Sequence, residues 1–181
     1  NTVATVDINN LVSTDWYAIS KLYSEAKHRS MPELSIVDVR VFNYFSHTQD
    51  MNARFLITDI VRAIKNKEVF KTSADNIIRD FITPPDFYRL IQAIIDFKPT
   101  NIALDCYTKS PVSKFDLLAE LENKLGFKYE TNKDVDIVNA TGIKTNYYST
   151  NKMAKQVGYT PVNTSLGGIF KEINFHILGQ F

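Results

Sequence analysis

Apolar positions recur at helical spacing early in the chain. Trp16, Ile19, Tyr23 and Ala26 fall on one side of a helix predicted over residues 16–28, with Asp15 as its N-cap and Met31-Pro-Glu as its stop. At about 100° per residue, that stripe lies roughly opposite Tyr17 and Lys21. The stripe is expected to pack and Tyr17 and Lys21 to face away from the packing surface. The β-branched run 34–42 then predicts a mostly buried strand, and 43–50 a loop at its carboxyl end. Ligands of open α/β sheets bind at that end of a strand.

The pattern continues as helix and short strand in alternation. A helix is predicted over 52–65, with Phe55, Leu56, Asp59, Ile60, Ala63 and Ile64 on its buried side. Short strands follow at 68–71 and 77–82, around a turn at 73–76. Pro84 and Pro85 open a helix reaching about 95, where a missing N–H costs nothing. Residues 101–107 read as a strand. Ser110 to Ser113 lead into a helix that runs to about 124 and is stopped by Gly126. A short strand at 127–130, an unassigned polar stretch at 131–146, a short helix at 149–157 and a last helix at 166–178 complete the chain. The last helix carries Ile169, Phe170, Ile173 and Ile177 on one side. Helix–strand pairs with short connectors predict an α/β fold with a parallel sheet.

Composition narrows the function classes. The chain has 181 residues, 44% apolar and 23% charged, enough to bury a real core. Its formal net charge is +1 with no dense basic block, which gives nucleic-acid binding no electrostatic support. No apolar run is long enough to cross a bilayer, so no membrane association is expected. The single Cys106 cannot form an internal disulfide, which suits a reducing, cytoplasmic setting. It stands in an apolar run and reads as a buried strand residue rather than a nucleophile. His28, His47 and His176 show no metal-ligand spacing, and no metal site is expected. No G-x-G-x-x-G or Walker-type loop occurs.

Chemistry enters through the Tyr/Lys pair. Tyr17 and Lys21 are four apart and share a helix face. An ammonium beside a phenol favours the phenolate and lowers its pKa from about 10. Tyr17 is thereby a candidate general acid/base. Spacing alone does not single it out, because Tyr23/Lys27, Tyr129/Lys133 and Tyr148/Lys152 match equally.

Order and register do. Tyr17-Ala-Ile-Ser-Lys21 with Glu25 resembles the Y-x-x-S-K-x-x-x-E helix of the extended short-chain dehydrogenase/reductase family, the nucleotide-sugar epimerases, dehydratases and reductases. Arg40-Val-Phe-Asn43 resembles the R-x-F-N strand end that follows it, and Arg54-Phe-Leu-Ile57 the opening of the next helix. Arg79-Asp-Phe-Ile82 with Asp86 resembles the family's R-D segment. Tyr148-Ser-Thr-Asn-Lys152, Gly158-Tyr-Thr-Pro161 and Ser165-Leu-Gly-Gly168-Ile169 resemble its closing pattern. The match runs in order over about 150 residues.

The resemblance implies roles. Lys21 would bond the nicotinamide ribose of NAD or NADP and lower the pKa of Tyr17, which would move a proton while a hydride is exchanged at the same sugar carbon. Phe42 would lie against the nicotinamide. Asn43, Arg54 and Phe55 would line a nucleotide-diphosphate-sugar site, and Arg79 would pair with the diphosphate. Arg79 has an alternative as an ion-pair partner of Asp80 or Asp86, and Asn43 as a strand-end turn residue.

The implied fold is a remnant of a Rossmann-type parallel sheet, the Tyr/Lys helix plus the following strand, joined to a small α+β substrate-binding domain. Residues 1–50 would belong to the dinucleotide-binding domain and 51–181 mainly to the substrate domain, with a return to the Rossmann sheet around 84–107. The glycine loop and the family's catalytic Ser/Thr are missing, so the chain reads as the C-terminal portion of a longer enzyme, inactive alone. A homodimer built on the Tyr/Lys helix is implied too. The loops depart from the family pattern at Phe45-Ser46-His47, Ser73-Ala-Asp75 and Thr83-Pro84. An epimerase is the leading reading. A 4,6-dehydratase, a 4-reductase or a non-catalytic sugar-nucleotide binding module are the alternatives.

Overall fold

Two apolar clusters hold the chain together, and the first long helix belongs to neither. The computed structural model describes residues 6–132 and 145–178. Most of the unassigned stretch 131–146, and Lys133 of the Tyr129/Lys133 pair, lie outside them.

Helix α1 (Asp15–Arg29) leads to strand β1 (Val37–Arg40), which pairs in parallel with β6 (Ile102–Asp105), Val37 opposite Ile102. Between them run β2 (Asn43–Tyr44), α2 (Leu56–Asn66), β3 (Phe70–Ser73), β4 (Ile78–Arg79), β5 (Phe81–Ile82) and α3 (Pro84–Asp96). β6 is followed by β7 (Val112–Ser113), α4 (Lys114–Leu125), β8 (Tyr129–Asn132), β9 (Asn146–Tyr147), a 3₁₀ turn at Met153–Val157 and α5 (Ser165–Leu178). β2 pairs in parallel with β5, and β3 with β8. β4 is central to a small mixed sheet, antiparallel to β7 and parallel to β9. The fold is α/β, as the pattern predicts.

The larger core joins α2, α4 and α5 through Ile57, Ile60, Val61, Leu117, Leu118, Leu121, Ile169 and Ile173, with Phe45 and Phe127. The smaller joins α3, β6 and the 3₁₀ turn through Leu90, Leu104, Cys106, Tyr107, Ala154, Val157 and Tyr159. Cys106 is buried, and burial pushes its thiol up to about 12. One expected start and one expected stop hold. Pro84 and Pro85 occupy the first turn of α3, and Gly126 closes α4 at φ 64°. Gly168 answers a different need. A Cβ there would meet the Thr83 side chain at 2.9 Å, so α5 can approach the junction of β5 and α3 closely only with glycine.

Several expectations need correction. The stripe on α1 does not pack: Trp16 is 64% and Tyr23 69% exposed, and no residue of α1 is buried. Asp15 is the first helical residue, not a cap; its carboxylate accepts from Val12 N–H. The predicted 52–65 helix begins at Leu56, and its buried face turns to Ile57, Thr58, Ile60, Val61 and Ala63, leaving Phe55 exposed. Residues 37–39 of the predicted strand are only half-buried and Arg40 is exposed, because β6 is the sole strand hydrogen-bonded to β1 among the described residues.

Candidate functional site

Tyr147, which the sequence did not single out, is where three of the candidate residues meet. Its ring packs edge-on against Phe42 at 5.2 Å between centroids. The Arg79 guanidinium stands 5.9 Å from the same ring. Asn43 donates from Nδ2 to the Tyr147 carbonyl at 3.4 Å and to the Asp80 carbonyl at 3.3 Å. Burial raises the pKa of the Tyr147 phenol, the nearby Tyr17 phenol adds to the rise, and the Arg79 charge opposes it. Lys21 Nζ in turn lies 5.4 Å from the centre of the Tyr17 ring, the i, i+4 contact a helix dictates. Phe42, Asn43 and Arg79 therefore meet at Tyr147 on β9, and Tyr17 of the Tyr/Lys helix lies near enough to act on its phenol.

The segments that deliver them are pinned by charge. Arg40 Nε donates to Glu25 Oε1 at 2.7 Å and Nη2 to Glu25 Oε2, while Nη1 reaches Asp105 Oδ1 at 3.1 Å. Glu25 belongs to the Tyr/Lys helix, Arg40 to β1 and Asp105 to β6. The Arg40 hydrogen bonds hold the Glu25 carboxyl below its ordinary pKa, and Glu25 raises that of Arg40.

Asp80 and Asp86, the alternative partners of Arg79, are taken elsewhere. Asp80 is buried and accepts from Thr108 N–H at 2.9 Å, from the Thr108 hydroxyl and from the Ser165 hydroxyl at 2.7 Å. Asp86 accepts from the backbone N–H groups of Val162 and Asn163 at 2.8 and 2.9 Å. Arg79 itself donates to the Ile78 and Thr145 carbonyls at 3.0 and 3.2 Å, and burial lowers its pKa.

Arg54 and Phe55 face solvent. Arg54 is exposed and pairs with Asp59 at 3.4 Å; Phe55 precedes α2 with its ring in solvent. Leu56, the next residue, shares a shallow depression with Arg79, Phe81 and Lys114. A larger open groove of about 750 Å³, lined by Tyr88, Arg89, Gln92, Phe97 and Tyr159, contains none of the gathered residues. Among the described residues no cluster of His, Cys, Asp or Glu could hold a metal, and no helix is long and apolar enough to cross a membrane.

The departures from the family pattern are built into the fold. Phe45 is buried in the larger core, His47 meets the buried Glu172 at 2.7 Å through Nδ1, and Ser73 accepts from the buried Lys114 at 2.6 Å through its carbonyl. Signals for Tyr147 were faint. A lone aromatic beside an unassigned stretch gains meaning only when β9 pairs with β4.

The chain is α/β, with a Tyr/Lys helix and, at Tyr147, a strand-end Asn and a half-buried Arg. No family model matches the sequence, and no curated protein does. Solved structures do. The UDP-glucuronic acid 4-epimerase of Bacillus cereus, seen with UDP-glucuronic acid and NAD, superposes with a TM-score of 0.75 at 16% identity, over 99% of this chain and 58% of that one. The UDP-glucose 4-epimerase of Thermotoga maritima, with UDP-glucose, gives 0.71 at 16% identity, over 90% and 53%. The dTDP-glucose 4,6-dehydratase of Bacillus anthracis, with NAD, gives 0.71 at 14% identity, over 98% and 57%. The chain has the fold of the C-terminal part of extended short-chain dehydrogenase/reductase nucleotide-sugar epimerases and dehydratases. It spans somewhat more than half the length of those chains.

Proposed function

We propose that this chain is the catalytic-helix and substrate-binding portion of an NAD- or NADP-dependent nucleotide-sugar epimerase. One observation carries the reading: Phe42, Asn43 and Arg79, from two separate segments, meet at Tyr147, whose phenol also feels that of Tyr17 on the Lys21 helix. The solved structures that share the fold act on or hold nucleotide sugars, and several hold NAD.

The residues present suit the nicotinamide end of such a cofactor: a lysine and a phenol on one helix face, and a flat ring at Phe42. When bound, the dinucleotide takes up and returns a hydride at a sugar carbon. This chain's own groups do the rest. Tyr17 accepts the sugar hydroxyl proton as that carbon is oxidised and gives it back on reduction. Lys21 holds the ribose hydroxyls and steadies Tyr17. Asn43, whose Nδ2 is already committed, offers Oδ1 to the sugar. Arg79 meets the diphosphate, where a guanidinium fork suits two phosphate oxygens. Arg54 and Phe55 border the nucleotide end.

Residues 1–50 then belong to the dinucleotide-binding domain and 51–181 mainly to the substrate domain, with 84–107 returning to the first. The parallel pairing of β1 with β6 supports that division. A homodimer formed through the exposed side of α1 and a cytoplasmic location are part of the same proposal.

A second reading is a non-catalytic nucleotide-sugar binding module. The buried Phe45 and the Lys114–Ser73 contact favour it, because they reshape loops beside the site. One experiment separates the two. In the full-length protein, Tyr17→Phe should cut turnover by about 10²–10⁴-fold and leave nucleotide-sugar affinity unchanged. Unchanged turnover would reject the proton relay, and nucleotide-sugar binding without any turnover in the unsubstituted protein would favour the module.

A further inference from the structure

Helix α1 carries the proposed acid/base pair, yet it contributes no residue to either apolar core. What holds it is polar. At its C-terminal end, His28 and Arg29 both reach Asp38 of β1, at 2.8 and 2.9 Å, and Arg29 also donates to the Asn101 side chain. Asn101 in turn donates to the His28 and Met31 carbonyls at 2.9 and 2.7 Å. One turn nearer Tyr17, the carboxylate of Glu25 is gripped by Nε and Nη2 of Arg40, whose third nitrogen is held by Asp105. Asp105 also accepts from the Ser149 hydroxyl.

A rod fixed at one end pivots; a second point along it sets its direction. From Arg29 to Tyr17 the helix is about 18 Å long at roughly 1.5 Å per residue. A pivot of about 10° about the Asp38 anchor would carry Tyr17 by roughly 3 Å, and misplacement by about 1 Å can cost catalysis on the order of 10²-fold. With no apolar face engaged, the second point is the Glu25–Arg40 pair. The fork geometry matters as much as the charge. Arg40 offers three nitrogens in one plane to two carboxylates on different elements, which a lysine ammonium cannot match.

We propose that Arg40, bridging Glu25 and Asp105, is a positioning residue that aims α1, and with it Tyr17 and Lys21, at the Phe42–Asn43 strand end. The inference rests on the reading of Tyr17 and Lys21 as the acid/base pair only for its catalytic consequence. The mechanical part stands on the contacts alone.

The test has two separable arms. Trp16, the only tryptophan, lies on α1 and reports its N-terminal half. Glu25→Gln and Arg40→Met should speed amide exchange in α1 about tenfold and alter Trp16 emission anisotropy, with α2 and α5 exchanging as before. Arg40→Lys, which keeps the charge and loses the fork, should fall between. Unchanged α1 exchange, an equal loss of protection in α5, or full rescue by lysine overturns the proposal. In the full-length protein, Arg40→Lys should lower kcat with KM for the nucleotide sugar held. If α1 loosens while turnover is unaffected, the mechanical arm stands and the acid/base reading of Tyr17 fails instead.

Discussion

Asp80 follows Arg79 in the R-D motif, and the structure assigns it to holding the fold rather than to chemistry. Consider Asp80→Ala. The carboxylate is 3% exposed and accepts from Thr108 N–H, the Thr108 hydroxyl and the Ser165 hydroxyl. Charge-assisted bonds contribute about 1.5–3 kcal/mol each, so a simple sum would exceed 4.5 kcal/mol. The structure lowers that figure. After truncation the Thr108 hydroxyl keeps the Ser110 carbonyl at 2.8 Å, and the Ser165 hydroxyl, which still accepts from Phe81 N–H at 2.7 Å, can turn its own hydrogen to Thr108 Oγ1 at 3.4 Å. The Thr108 N–H has no second acceptor among the described residues and is left buried without one. One orphaned donor and the lost carboxylate contacts together come to about 3 kcal/mol. With a urea slope of about 2 kcal/mol/M, the midpoint should fall by roughly 1.5 M with the slope unchanged. Nucleotide-sugar affinity measured below the transition should stay within about twofold, because Asp80 points to Thr108 while Arg79 points to Tyr147. A midpoint shift under about 0.5 M, or an affinity loss matching that of an Arg79 variant, would refute the structural assignment.

Other consequences are simpler to state. Arg79→Gln should weaken nucleotide-sugar binding by about 30- to 150-fold, equivalent to about 2–3 kcal/mol for a charge-assisted pair, and Arg79→Lys by about tenfold, both read by calorimetry against an unchanged melting temperature. Gly168→Ala should destabilise by about 1–3 kcal/mol, because its Cβ would meet Thr83 at 2.9 Å, and Thr83→Ala should restore most of the loss. The Cys106 thiol, buried and pushed up to about 12, should resist a thiol reagent at pH 8 until the protein is unfolded by urea. Rapid labelling of the native protein would contradict that burial.

Local chemistry made part of the protein legible from its sequence. Pro84 and Pro85 start α3 and Gly126 ends α4 because proline and glycine act on their own backbone. The core side of α5 follows from Ile169 and Ile173 at helical spacing, and Cys106 is buried where an apolar run places it. The ordered motifs, from Tyr17-Ala-Ile-Ser-Lys21 to Ser165-Leu-Gly-Gly168, foretold a fold that solved structures share over more than half their length. Tertiary structure alone decided the rest, because it depends on partners distant in sequence. The apolar stripe of α1 suggested a packed face, but Glu25, His28 and Arg29 dock the helix through Arg40, Asp38 and Asn101. Asp80 and Asp86 looked like partners for Arg79 until Thr108, Ser165 and Asn163 proved to hold them. Tyr147 meets Phe42 and Arg79 only because a two-residue strand brings it to β4. Periodicity tells which side of an element is apolar; which side is used depends on what the rest of the chain brings against it.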